Sequence, residues 1–514
     1  MGLPAPERII SMQREQRRRQ AQARDGSIAS VPKTRSPALQ QDGNSKGGKR
    51  MKYLPDLPED IWWHIHSLMP MRDAARAACV SRTFMCSWRL HTSLTFSRKT
   101  LGMDDNVCEM DGKAKDLTGK VDKIWIEHPG IGVKKVKIKF YDYRTRAYYL
   151  DRWLQIAVTP GIEELTVIPS VSKQKFNFPC SLLSEGGENS IRCLNLYQCV
   201  FCPTVRLGLR SLTQLELFDV RITGNELACL LDNSVALQHL AVMYCSKIIR
   251  LKIPSLLQRL ITLEVSNCKR LQAIEIEAQC LSNFRFISDH LAHLSFGEAL
   301  QLKTLVMQCR GALCYARANL PSSLSNLETL SICSHCEMVT TPMIGSKFSF
   351  LKHLTVVLAA PPAYDYCSLI SFFDASPSLE TFILNVVWNS MRHPSIFTDP
   401  SGTRQMPEHR HDKLKSVTIT GFSSAKCLAE LTCHILESAK SLEYLTLDTT
   451  DGNRVFMCSV NGSDKCYCSP MGRDAIVEAR RGLLAIRTYI EGIVPSKVKF
   501  TLVEPCSRCH VVEL

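Results

Sequence analysis

Cysteine and histidine are the residues of this chain whose types and spacing could do chemistry. Near the C-terminus Cys466-Tyr467-Cys468 is followed by Cys506-Ser507-Arg508-Cys509-His510, and two Cys pairs could supply four thiolates to zinc. Yet C-x-C with C-x-x-C is a loose match. Twenty-three cysteines in 514 residues make chance pairs common, so no metal is expected and a buried structural role is the reading for these thiols. The C-x-x-C-H string also imitates a haem-attachment site, but the sequence shows no export signal and no haem is expected. Cys433-His434 is adjacency in sequence, which is not nucleophile geometry. The chain contains no G-x-x-x-x-G-K-[ST], no G-x-G-x-x-G behind a strand, no H-E-x-x-H and no G-x-S-x-G. No catalytic residue, no cofactor and no enzymatic activity are expected.

The elements that carry these residues are bounded by length and charge. A chain of 514 residues exceeds what one core usually serves, which predicts two or three units or one extended repeat array. The cysteines are scattered and odd in number, so a disulfide framework is not expected, and a reducing compartment, nucleus and/or cytoplasm, is. No window approaches the roughly 18 to 20 apolar residues of a membrane span. Pro6 stands where a myristoylation signal would want Ser or Thr, so no membrane partner is expected. The net charge of +14 suggests nucleic acid until it is located along the chain. Residues 1 to 50 hold eleven Lys/Arg against four Asp/Glu, half of the whole excess. The clusters Arg17-Arg18-Arg19 and Lys49-Arg50-Met51-Lys52 are joined by Gly, Ser, Pro and Gln, which cannot bury enough apolar surface to fold. Residues 1–52 therefore read as a disordered basic tail, either a nuclear-import signal or loose polyanion contact, or merely a solvated leader. Nothing in it reads base edges, and no sequence-specific nucleic-acid partner is expected.

Helix signals begin abruptly after the tail, at DLPEDIWWHIHSLMP. Pro58 suits a first helical turn, and Glu59 and Asp60 complement the positive end of the helix dipole. Ile61, Ile65 and Leu68 form one apolar stripe while Trp62, Trp63 and Met69 spill around the cylinder. Pro70 breaks this helix. A second follows with Met71, Ala74, Ala75 and Ala78, and Val80, Phe84 and Trp88 continue as an i, i+4, i+8 row. Three short helices in some forty residues seldom make a self-sufficient core, so this module leans either on the rest of the chain or on a partner.

The residues Leu57-Pro58-Glu59-Asp60-Ile61, Ser67-Leu68, Asp73-Ala74-Ala75-Arg76 and Val80-Ser81-Arg82 resemble the F-box. That resemblance implies a Skp-type adaptor as partner and, through it, a cullin and a RING protein. The assembly would be a ubiquitin ligase in which this chain selects the protein substrate. By position, Leu57, Pro58, Ile61, Ile65, Leu68, Val80 and Trp88 would be the adaptor-facing or module-packing residues. One departure is Phe84, where the family often has Trp.

Downstream the texture becomes regular. Met103 to Thr118 is polar and loop-like, Thr92 to Phe96 and Val133 to Phe140 alternate like strands, and Tyr149 to Val158 reads as a helix leading into Glu164-Leu165-Thr166-Val167. Segments such as SIRCLNLYQC, SLTQLELFDV, ALQHLAVMYC and RLITLEVSNC then share an apolar-x-apolar strand behind a short amphipathic lead. Their first anchors, Leu194, Leu215, Leu240 and Leu263, step by 21, 25 and 23 residues. A degenerate copy at Phe284 leads to Leu305, Leu330 and Leu354 before Phe382, Val417 and Leu445 stretch the step. This is a leucine-rich-repeat period, in which stacked repeats bury a continuous core. Cys199, Cys245 and Cys268 fall five residues after their anchors, with Val220 at the same place, where a small buried residue belongs; Cys309 misses that register by one. The residues between the buried anchors, Asn195, Glu216, Glu264, Ser331, Thr355 and Thr446, are candidates for the substrate-facing side of the sheet. An amphipathic helix from about Asp474 to Glu491 lies in a segment similar to the closing segment of plant F-box/leucine-rich-repeat proteins, a capping repeat.

The expected fold is α/β: a disordered basic tail (1–52), a three-helix F-box module (53–100), a curved leucine-rich-repeat solenoid with a parallel sheet (101–470) and a C-terminal capping segment (471–514). Two functions fit this organisation. One is the substrate-recognition subunit of an SCF-type ubiquitin ligase. The other is a non-ligase scaffold or ligand-sensing repeat protein whose helical module is only a cap.

Overall fold

The computed structural model describes residues 58–80, 84, 85, 88, 91–103, 112–128, 132–139, 147–159, 161–169, 175–183, 190–203, 207, 209–297, 301–335, 337, 347–359, 364–388, 393–398, 404, 406, 410–450 and 471–505. The basic tail, Leu57 and the cysteines of both C-terminal pairs lie outside the described residues. The chain divides into two compact units, Met1–Phe201 with Leu207–Leu209 and Cys202–Arg206 with Arg210–Leu514.

In the first unit, helix α1 (Glu59–Leu68) ends before Pro70 and α2 (Met71–Val80) follows at once. Met71 and Ala74 are buried as the spacing predicts. The row Val80, Phe84, Trp88 does not share one face: Trp88 is 8% exposed, Phe84 half-buried and Val80 86% exposed. Val80 is the last residue of α2, while Phe84 and Trp88 pack against His66 and His91.

The loop expected up to Thr118 is also corrected, since helix α3 (Gly112–Glu127) occupies its end. Leu117, Val121 and Trp125 recur at four-residue spacing and are buried, an apolar stripe long enough to hold a helix. Helix α4 (Ala147–Ala157) docks beside it through Asp122, whose carboxylate accepts from the guanidinium of buried Arg152 and from the Trp153 indole at 2.8 Å. The strand Ser93–Ser97, inside the 53–100 stretch, is the first rung of a parallel sheet. It pairs with Lys135–Lys139, which pairs with Glu164–Ile168 and then Cys193–Tyr197, aligning Leu94, Val136, Leu165 and Leu194.

The second unit is built on the repeat period. Leu215, Leu240, Leu263, Phe284, Leu305, Leu330, Leu354, Phe382, Val417 and Leu445 stand side by side in one parallel register, all buried, and Phe500 adds a further rung. Each fully buried Leu contributes about 1.5 to 3 kcal/mol, and only stacking supplies that burial. The degenerate copy is thus a true rung, with Phe284 paired to both Leu263 and Leu305. Past the strands, Gln198, Asp219, Tyr244 and Asn267 take left-handed φ, an uncommon conformation for residues with a side chain. Each immediately precedes a buried small residue: Cys199, Val220, Cys245 and Cys268. The turn directs the thiols inward, where Cys245 Sγ donates to Leu217 O at 3.6 Å and Cys268 Sγ to Val242 O at 3.7 Å. Cys309, although out of that register, is buried as well.

Helix does not alternate with strand throughout. Arg250–Ile253, Ala273–Ile276 and His293–Phe296 form a second, three-stranded parallel sheet in place of helices. Their alternation, as in Arg250-Leu251-Lys252-Ile253, is the strand period, and Leu251, Ile274 and Leu294 align inside. Helix α5 (Gly224–Asp232), started by a Thr223–Glu226 capping box, packs beside the first of these strands. At the other end, the expected amphipathic helix spans Arg473–Ala485, continues as a π turn over Ile486–Ile490, and leads to the last strand, Lys499–Val503. Gly482 lets this helix approach the chain closely, because a Cβ there would meet Phe422 O at 2.5 Å.

Candidate partner-docking site

The site is built on α1, whose faces are the reverse of what hydrophobicity suggests. Pro58 opens the helix, its carbonyl accepting from Ile61 N at 3.1 Å and Trp62 N at 3.2 Å. Inward of it lie His66, fully buried, and Trp62, whose ring meets Phe84 edge-on at 5.4 Å. Outward lie Ile61, Trp63, Ile65 and Leu68, the last 72% exposed. The apolar stripe is therefore on the solvent side and a polar imidazole is on the core side.

Imidazoles hold this arrangement. His66 Nε2 bonds Ala74 O at 3.1 Å, tying α1 to α2; His91 Nε2 bonds Met69 O at 3.1 Å; and His128 Nε2 bonds His91 O at 3.0 Å, tying the end of α3 to the same cluster. All three rings are buried, with Trp88 between His91 and His128 at 5.9 and 6.4 Å and Phe84 stacked on His66 at 5.3 Å. Burial pushes the His128 imidazole down to about 4, its hydrogen bond to His91 opposing and the neighbouring His91 adding. Burial likewise lowers His66, against its bond to Ala74. Both are neutral near pH 7 and act as hydrogen-bonding wedges.

Of the sequence candidates, Pro58, Ile61, Ile65, Leu68 and Val80 are exposed, Trp88 is part of the packing, and Leu57 lies outside the described residues. Sequence reasoning missed two exposed apolar residues, Trp63 and Met85. Trp63 carried a signal, an indole off the stripe, and Met85 carried none. It also missed the histidines, because an isolated His in a helix gives no indication of which side it takes.

On the repeats, Glu216, Glu264, Ser331, Thr355 and Thr446 are half-buried members of one register row that also includes Arg285, Val306, Ile383 and Thr418, and in which Ala241 is buried. Asn195 stands at the same place on its strand and donates to Thr166 Oγ1 at 3.3 Å, while Glu264 pairs with Arg285 at 3.5 Å. Asn195 and Glu264 are thus engaged within the protein's own face. Among the described residues no group of three or more His, Cys, Asp or Glu side chains could hold a metal ion, and the zinc candidates lie outside them.

A family model for the F-box domain matches residues 54–95, over the helices just described, and one described as the At1g61320/AtMIF1 LRR domain matches residues 124–507, more than half of the chain. The chain belongs to the plant F-box/leucine-rich-repeat proteins. An F-box/FBD/LRR-repeat protein of Arabidopsis thaliana, At1g13570, is 23% identical over 204 residues, which cover 39% of this chain and 46% of that relative. The chain thus spans less than half the length of the curated relative it matches. F-box/leucine-rich-repeat proteins are generally non-catalytic adaptors, and F-box domains typically bind Skp-type adaptors. Among the described residues no helix is long and apolar enough to cross a membrane.

Proposed function

We propose that this protein is the substrate-recognition subunit of an SCF-type E3 ubiquitin ligase and is not itself an enzyme. A Skp-type adaptor docks on the outward stripe of Ile61, Ile65 and Leu68, with Leu57, Pro58 and Val80 also taking part in the contact, and Trp88 supports that surface from within. The adaptor brings a cullin and a RING protein, and the register row of the repeats holds the protein to be ubiquitinated. The observation that carries this reading is the inversion of α1, with Leu68 72% exposed and His66 buried. A module that only capped the solenoid would turn its apolar stripe inward, as surface helices do. The ligand-sensing alternative would need a closed pocket with converging polar groups on the repeats.

The test is a pull-down of a Skp-type adaptor by the full chain and by Ile65→Ala/Leu68→Ala. Two lost aliphatic anchors should weaken capture by about two decades while circular dichroism stays unchanged. Undiminished capture, or unfolding of the whole chain, would return the helix to an internal cap. Residence in nucleus and cytoplasm belongs to the same reading, with the basic clusters at Arg17 to Arg19 and Lys49 to Lys52 as the import signal. An unchanged distribution after removal of residues 1–50 would count against that part alone.

A further inference from the structure

The first unit holds a cavity of about 690 Å³ between the α1–α2 corner and the outward side of the first two strands. Its lining includes the apolar residues Leu68, which the adaptor stripe shares, Met69, Pro70 and Met71, and the cations Arg72, Arg76, Lys99 and Lys135 against a single carboxylate, Asp73. Lys135 is paired with Glu164 at 2.6 Å. Among the described residues no carboxylate pairs with Arg72, Arg76 or Lys99, all of them exposed. Arg72 and Arg76 stand four residues apart on α2, where like charges face each other and repel. Asp73 offsets only one of the cations, so an anion entering from solvent would relieve the repulsion.

The donors around these cations suit a carboxylate or a phosphate. Ser67 and Thr100 spend their hydroxyls on His64 O and Thr95 O, both at 2.7 Å. The hydroxyls of Thr92, Ser93 and Thr95 line the same cavity and make no hydrogen bond among the described residues. Guanidinium groups beside hydroxyl donors bind such oxyanions through charge-assisted hydrogen bonds. The positive character continues out of the cavity along the sheet. Exposed Lys137 stands in register between the half-buried Thr95 and Thr166. A lining of apolar residues together with cations fits a peptide with apolar and acidic residues better than a bare ion.

We propose that this cavity is an anion-binding site taking a carboxylate- or phosphate-bearing peptide segment of the recruited protein; only the ownership of the segment rests on the substrate-receptor reading. It gives that reading a chemical class of target, one with an acidic or phosphorylated stretch entering the sheet at its F-box end.

The test uses the full chain and fluorescein-labelled Ser/Gly peptides carrying four Glu, four phosphoserines or neither, followed by anisotropy. The charged peptides should bind and the neutral one should not, and Arg76→Ala/Lys99→Ala should weaken binding at least about tenfold. A second pair of surface cations, Lys252→Ala/Arg259→Ala, should leave it unchanged, with the tail contributing equally to every variant. A phosphoserine peptide binding about tenfold tighter than the Glu peptide assigns the site to phosphorylated targets, and equal binding assigns it to plain acidic ones. Equal affinity of cavity variant and wild type, or equal loss in the control pair, overturns the site. Adaptor capture is measured on the same variants and should be retained. If the cavity variant loses the adaptor, the cavity belongs to the adaptor interface and this assignment falls while the docking reading stands. If the wild type binds peptide but captures no adaptor, the docking reading falls and the anion site remains.

Discussion

Trp62 turns its indole edge-on to Phe84 at 5.4 Å, while Trp63, the next residue, is left 43% exposed. Neighbouring helical residues point about 100° apart, so only one of two adjacent tryptophans can face the module core. The two should therefore separate stability from binding. Trp62→Ala should lower stability by about 1 to 3 kcal/mol, through lost burial and the aromatic pair. Trp63→Ala should leave the melting temperature in place and weaken adaptor capture about tenfold, as loss of an interface aromatic does. Thermal unfolding and adaptor titration on both variants decide it, and an equal fall in melting temperature would refute the division.

The buried imidazoles make the first unit acid-sensitive. His128 titrates at about 4 in the fold against 6.5 when free, so the fold prefers its neutral form. That stability is complete above pH 6.5 and drains away as pH falls toward 4, amounting to about 3 kcal/mol. His66, lowered by the same cause, acts in the same direction. His128→Gln keeps a hydrogen-bonding side chain without the charge, and should flatten the loss between pH 7 and pH 5 in urea unfolding. Identical pH slopes for variant and wild type would show that the ring is not titrating against the fold.

The sequence made legible whatever is periodic. The anchors from Leu194 to Leu445 fall where the stacking register has them, because a buried row of side chains must recur with the rung. The direction in which a stripe faces was not legible. Ile61, Ile65 and Leu68 have a core-facing pattern, yet the core side belongs to Trp62 and His66, whose partners Phe84 and Ala74 come from other segments. Helix α3 was hidden by its polar lead, since its buried apolar residues, Leu117, Val121 and Trp125, begin only at its sixth residue. The second sheet was hidden by a uniform expectation of helices, although Leu251 and Ile253 alternate with Arg250 and Lys252 as strands do.

Gly421 and Gly482 are among the glycines fixed by close approach. Gly421 has φ of +70°, and a Cβ there would stand 2.1 Å from Val386 O; at Gly482 it would meet Phe422 O at 2.5 Å. Both obstacles are backbone and cannot rotate away. Gly421→Ala adds left-handed strain to the clash and should cost about 2 to 4 kcal/mol, Gly482→Ala somewhat less because its helix can shift. Urea unfolding of each variant measures this, and a cost below about 1 kcal/mol for Gly421→Ala would mean the turn relaxes freely.

The thiols of the repeat turns report on the stacking of the rungs. Cys245 and Cys268 are buried, each held by backbone carbonyls of its own and the preceding rung, and burial pushes Cys268 up to about 11. Cys79 and Cys229 are exposed. Because the thiolate is the reactive species, maleimide at pH 7 should label the exposed pair quickly and leave the buried pair untouched until the rungs separate. Leu263→Ala should cost about 2 to 5 kcal/mol by removing one buried anchor, and should bring Cys245 and Cys268 into reach, since their shelter is the neighbouring repeat. Mass spectrometry of the labelled peptides follows each site separately. Rapid native labelling of Cys268 in the unaltered protein would show that these rungs open without help, and that the register seen from Leu215 to Leu305 is not held as one cooperative stack.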